Sequence, residues 1–138
     1  MAGILIVDDN ANIRRLLRSF VETNTGFEVC GEAENGPEGI KKAKELQPDL
    51  ILLDMTMPGM HGTEAASILK KQLPDVKVIL FTMNTDGVNQ ALASTFDIDV
   101  AISKLDAITT LKEHLITLLT PVDSPPRAAD LRTNTKVN

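Results

Sequence analysis

Leu50-Ile51-Leu52-Leu53-Asp54-Met55-Thr56-Met57-Pro58-Gly59 is the stretch that decides the fold, because an apolar run stops at a carboxylate and a breaker pair follows. Four consecutive aliphatics read as a strand buried on both faces, the habit of a parallel sheet. Pro58-Gly59 marks a turn, so Asp54 sits where the strand runs out into a loop. In open α/β sheets that edge is where ligands bind. Taken alone, an Asp at a strand end most simply caps the chain at the surface. What the rest of the sequence brings beside it decides otherwise.

Working outward, Gly3-Ile4-Leu5-Ile6-Val7 is a second buried-type strand, and it too ends in acid, at Asp8-Asp9. Ile13, Leu16, Leu17, Phe20 and Val21 then recur at helical spacing, which predicts an amphipathic helix over residues 11–22 with Asn10 as its cap. Residues 27–32 resume as a strand of more alternating, edge-like character, with Glu32 and Glu34 at its carboxyl end. Asn35-Gly36-Pro37 turns into a helix bearing Ile40, Ala43 and Leu46, and Pro48 stops it. After Asp54, Ala65, Ala66, Ile68, Leu69 and Leu73 make a helix that ends at Pro74-Asp75. Residues 76–82 form a strand closing on the hydroxyl of Thr82. A weak helix over residues 85–94 carries only Val88, Ala91 and Leu92 as its apolar stripe, as a shallowly packed, movable element would. Residues 98–103 give a last strand with Lys104 at its carboxyl end, and Ile108, Leu111, Leu115 and Leu118 give the last helix.

Five strand–helix pairs in strict alternation imply an α/β, doubly wound (βα)5 parallel sheet with helices on both faces. One folded unit is expected over residues 1–120. Residues 121–138, with Pro121, Pro125 and Pro126 among scattered Ser, Asn and Thr, carry no apolar period and read as a disordered tail or linker. The chain has 138 residues, 43% of them hydrophobic and 24% charged, enough for one core. A net charge of −5 argues against a nucleic-acid surface, which needs clustered Lys and Arg. The single Cys30 excludes a disulfide framework and a cysteine-based metal site, and reads as a buried inert thiol. No signal peptide or membrane-length apolar run is found, and a reducing cytoplasm is the simplest compartment. Neither a dinucleotide fingerprint nor a P-loop lysine is present.

All parallel strands end on the same side, so Asp8, Asp9, Asp54, Thr82 and Lys104 converge on one rim although they are far apart in sequence. Crowded carboxylates repel one another and are best kept together by a cation. Oxygen-only ligands select a hard ion such as Mg²⁺. Lys104 adds a compact positive charge and Thr82 a hydroxyl donor. A carboxylate nucleophile, a divalent metal, a lysine and a hydroxyl are what in-line phosphoryl transfer to an aspartate requires, with Asp54 becoming an acyl phosphate. His61, in the loop after Asp54, and His114, on the last helix, read as solvated.

ILIVDDNANIRRLL (residues 4–17), GFEVCGEAENGPEGI (26–40), PDLILLDMTMPGMHGTEA (48–65), the Thr82 strand and Lys104 strongly resemble the receiver domain of bacterial response regulators, the CheY-like phosphoacceptor modules of two-component signalling. The resemblance runs from residue 3 to 119. Its second segment is most similar to receivers that precede a LuxR-type DNA-binding domain. It implies a flavodoxin-like sheet of order 2-1-3-4-5. It also implies Mg²⁺ held by Asp9 and Asp54, with Asp8 nearby and the backbone carbonyl of Thr56. Asp54 would be phosphorylated by a sensor histidine kinase, Thr82 would be the switch hydroxyl and Lys104 the ion pair of the phosphoryl group. Such a module is not an enzyme, although it assists its own phosphotransfer and slow autodephosphorylation. Its partners would be the kinase and an output domain or downstream protein, with a homodimer as a family expectation and no direct contact with nucleic acid or membrane.

Three positions depart from the commoner family pattern. Met83 replaces a small residue after Thr82, Ala101 replaces the aromatic three residues before the lysine, and Leu105 follows Lys104 where Pro is frequent. The usual aromatic switch is therefore ruled out, and the usual cis peptide is not expected before a non-proline residue. These departures support a rival reading, a receiver-like interaction module that works without phosphorylation. A phosphohydrolase forming an aspartyl phosphate is disfavoured, since Thr56 occupies the place where its second Asp would stand. The chain is expected to be a stand-alone receiver or a receiver cut from a longer regulator inside its linker.

Overall fold

In the computed structural model, which describes residues 2–82, 98–103 and 107–119, the strand-forming runs pair in parallel as one sheet. The elements in chain order are β1 (Gly3–Val7), α1 (Ala11–Asn24), β2 (Glu28–Ala33), α2 (Gly36–Leu46), β3 (Leu50–Asp54), α3 (Gly62–Gln72), β4 (Lys77–Thr82), β5 (Val100–Ser103) and α4 (Ala107–Leu119). The sheet is doubly wound, as alternation in the sequence predicts, and its strand order β2-β1-β3-β4-β5 is the one the resemblance implies. The helix expected over residues 85–94, and Met83, Lys104, Leu105 and the tail from residue 121, lie outside the described residues. No helix among the described residues is long and apolar enough to cross a membrane.

Period-two alternation sorts the aliphatics between two cores. Leu5, Val7, Ile51, Leu53, Val78 and Leu80 face Ala43 of α2 and Ala65, Ala66 and Leu69 of α3. Ile4, Ile6, Leu50, Leu52, Ile79 and Phe81 face Leu17 and Val21 of α1 and Leu111 and Leu115 of α4. Each fully buried aliphatic contributes about 1.5–3 kcal/mol, so β1, β3 and β4, apolar on both faces, form the stable centre. The α1 stripe is narrower than its spacing suggests, since Leu16 is 52% exposed beside the buried Leu17 and Val21. Asn10 caps α1 as expected, its side chain accepting from the amides of Asn12 and Ile13.

At the sheet edge, β2 departs from simple alternation. Ile4 pairs with Val29 but Leu5 pairs with Gly31, so Cys30 is an extra residue in a bulge. A Cβ at position 31 would lie 2.6 Å from Leu46 Cδ1 and 3.5 Å from Leu5 Cδ1, so a larger residue there would require the exposed Leu46 side chain to move. Cys30 is half-buried rather than buried, since β2 has a neighbour on one side only. Burial, followed by the nearby carboxylates of Glu28 and Asp49, pushes its thiol up from the ordinary value and keeps it protonated near neutrality.

The bulge re-phases the strand so that Glu32 meets α1. Its two carboxylate oxygens are taken separately, by Arg18 Nε at 2.6 Å and by Arg14 Nε at 3.1 Å. The Arg18 hydrogen bond, then that of Arg14, holds the Glu32 carboxyl below its ordinary value of 4.5. A carboxyl so depressed binds protons less readily in the folded chain than in the unfolded one. Its contribution is therefore complete above about pH 4.5 and is lost as pH falls through the lowered value. Glu32→Gln is predicted to cost about 1 kcal/mol at pH 7, the pair being partly screened by solvent. Thermal melts of both proteins should show this gap closing below pH 4; a gap independent of pH would contradict the ion pair's role.

Candidate functional site

The β1–β3 register builds the site. Ile4, Leu5, Ile6 and Val7 pair with Leu50, Ile51, Leu52 and Leu53, so one further step sets Asp8 beside Asp54. On the other side Asp54 pairs with Phe81, which places Thr82 at the next step along β4, in register with Ser103 of β5. Two strand ends and the residue after one of them thus supply three acids. One carboxylate oxygen from each lies within 4.8 Å of the others, with Asp8 and Asp54 1% and 3% exposed and Asp9 open to solvent.

This donor set fits a hard divalent cation. An octahedral Mg²⁺ with bonds of about 2.1 Å sets its oxygens roughly 3 Å apart along an edge and about 4.2 Å across. Carboxylates gathered within 4.8 Å are near that spacing, and the ligand group found among the described residues is all carboxylate. One exposed acid beside two buried ones leaves an approach from solvent.

Backbone contacts hold the acids in place. Asp8 N donates to Ala33 O at 3.0 Å, continuing the β1–β2 ladder, and Asp8 Oδ1 accepts from Asn10 N at 2.8 Å. Asp54 Oδ1 accepts from Thr56 N at 3.3 Å, which curls the following loop back over the carboxylate. Met55 N donates to Phe81 O, and Gly62 N to Met55 O at 2.7 Å, fixing both ends of that loop. A Cβ at position 62 would collide with the Asp54 carbonyl oxygen and approach Met55 Cα to 2.7 Å. Only glycine allows the first turn of α3 to lie against the strand end that carries Asp54.

Asp8, Asp9 and Asp54, read from the sequence as converging, are together; Thr56, expected to offer its carbonyl, is exposed in the loop immediately beyond. Thr82 closes β4, and Lys104 lies outside the described residues. His61 is exposed and makes no side-chain cap for α3, while His114 is half-buried on α4. Gly62 and Arg14 were not legible as site residues. Helical spacing says nothing of a backbone pressed on a strand, and the pairing of Arg14 with Glu32 depends on a bulge that no sequence period reveals.

A family model described as the response regulator receiver domain matches residues 4–116. Response regulator protein VraR of Staphylococcus saprophyticus is 41% identical over 96 residues, which are 68% of this chain and 46% of that protein. Its counterpart from Staphylococcus aureus is 46% identical over 79 residues, 57% of this chain and 38% of that one. The chain thus spans less than half the length of these curated relatives. Among solved structures, the response regulator TrrA of Thermotoga maritima in complex with Mg²⁺ and BeF is 38% identical with a TM-score of 0.76, covering 86% of this chain and 100% of that one.

Two outcomes follow from the geometry. Gly62→Ala should destabilise the chain by about 1–3 kcal/mol, read as a lowered melting temperature, because its Cβ meets backbone rather than a mobile side chain; an unchanged melt would contradict the contact. Like charges about 5 Å apart repel by about 1 kcal/mol even in water-like surroundings. Asp9→Asn should therefore raise the melting temperature in chelator by about 3 °C, and a lowered value would show that the carboxylates do not oppose one another.

Proposed function

The chain belongs to the response regulator receiver family, phosphoacceptor signalling modules rather than enzymes, and we propose that Asp54 is its phosphoacceptor, phosphorylated by a sensor histidine kinase with Mg²⁺. The observation that carries this reading is the gathering of Asp8, Asp9 and Asp54 at one sheet edge, with Asp54 at the end of β3, a strand buried throughout. Family membership supports a sensor histidine kinase as partner, with an output domain or downstream protein receiving the signal.

In the proposed step an Asp54 carboxylate oxygen attacks the phosphorus of a phosphohistidine in line. The P–N bond breaks as the P–O bond forms, and the departing imidazole nitrogen takes up a proton. When bound, Mg²⁺ would supply positive charge that offsets the charge developing on the phosphoryl group. Asp9, Asp54 and the carbonyl of Thr56 would hold it, with Asp8 alongside. Lys104 would pair with the phosphoryl oxygens, and Thr82 would donate its hydroxyl to them. Drawing Thr82 inward would bias β4 and β5 toward an arrangement that a partner or second copy distinguishes. Within this reading residues 1–120 are the receiver and 121–138 its tail or linker.

The rival is a receiver-like module that binds its partner in one state, favoured by Met83, Ala101 and Leu105 in the sequence. With Mg²⁺ and acetyl phosphate, the intact mass of the native chain is predicted to rise by one phosphoryl group, and that of Asp54→Asn to stay unchanged. No gain under any donor, with equal partner binding by native and variant, would establish the rival.

A further inference from the structure

Asp8 and Asp9 lie at the junction of β1 and α1, so the direction of their carboxylates depends on how the Asp8 peptide is held. Its amide is fixed by β2 and its side chain by the turn into α1. Its carbonyl is held by a helix side chain: Arg14 Nη1 donates to Asp8 O at 2.6 Å. The same guanidinium reaches Glu32 Oε1 through Nε at 3.1 Å. Arg14 therefore spans from the edge strand to the peptide between the two acids, and the bulge at Cys30 is what aims Glu32 at it.

The neighbouring Arg18 provides an internal comparison. It binds the other oxygen of Glu32 at 2.6 Å and Glu22 at 3.4 Å. Its side chain is 39% exposed against 17% for Arg14. Two arginines share one carboxylate, yet only Arg14 continues to the site. A planar fork can satisfy two acceptors set at a fixed angle, whereas a lysine ammonium would keep the charge without bridging both.

We infer that Arg14, anchored by Glu32, is a positioning residue that sets the orientation of the Asp8–Asp9 pair for a divalent cation. The inference rests on the reading of that acidic cluster as the cation and phosphoryl site. It differs in sign from a simple effect of charge. A cation beside the site repels Mg²⁺, so removing it would tighten Mg²⁺ binding if its field were all that mattered. Loss of a residue that orients metal ligands instead weakens binding, commonly by 10- to 100-fold.

The test is a Mg²⁺ titration of the full chain, followed by thermal shift, for native protein, Arg14→Ala, Arg14→Lys, Arg18→Ala and Asp9→Asn, with acetyl phosphate labelling at saturating Mg²⁺ as a second readout. Arg14→Ala and Arg14→Lys should both bind Mg²⁺ about tenfold more weakly or worse. Arg18→Ala, which also loses a Glu32 bond, should stay within about twofold of native, and labelling of the Arg14 variants should recover as Mg²⁺ is raised. If Arg14→Ala does not fold, Arg14→Lys decides alone. Native affinity or tighter binding in the folded Arg14 variants overturns the inference, as does an equal loss in Arg18→Ala. A native chain that fails to bind Mg²⁺ overturns the site reading itself, and the inference with it.

Discussion

Mutual repulsion among Asp8, Asp9 and Asp54 is the constraint to which the rest of the structure answers. The β1–β3 register sets two carboxylates side by side in a place nearly closed to water, and chain continuity adds the third. Water screens such a cluster poorly where two of its members are buried, and the donor set fits a divalent cation that would offset the repulsion. A chain that only needed a stable sheet would gain by replacing one of these acids. Their placement at the ends of β1 and β3 serves the site rather than the sheet.

The scaffold supplies rigidity where the cluster needs it. Apolar residues on both faces of β1, β3 and β4 fix the strand ends to within the play of a packed core. The loop after Asp54 is tied down at both ends by backbone hydrogen bonds, and Gly62 lets α3 start directly against the strand. On the opposite flank a bulge in the edge strand turns Glu32 toward α1, where Arg14 connects it to the Asp8 peptide. Edge strands are the weakest part of an open sheet, and this one is both blunted by charge and linked to the site.

Much of this was legible in the sequence because it depends on periods and on chain direction. Unbroken aliphatic runs identify β1 and β3 as interior strands, and parallel pairing then obliges Asp8 and Asp54 to share a rim. Asn10 as a cap and Pro48 as a stop are local chemistry, and both hold. What could not be read depends on registry and close approach. Alternation through residues 27–32 would have turned Glu32 away from α1, and the bulge at Cys30 reverses that. Leu16 belongs to the α1 apolar stripe by spacing but lies beyond the width that the sheet covers. Gly62 looks like any residue that begins a helix until the Asp54 carbonyl is set against it.

Asp54 is the acceptor only if the phosphoryl group is found on its side chain. Borohydride reduces an aspartyl acyl phosphate to homoserine and leaves phosphoserine, phosphothreonine and free carboxylates intact, so it marks the acceptor by mass. After incubation with acetyl phosphate and Mg²⁺, reduction and peptide mapping should find homoserine at position 54, absent when Mg²⁺ is chelated. A phosphoryl group mapped to another residue, or no homoserine despite a gain of phosphate, would contradict the assignment of Asp54.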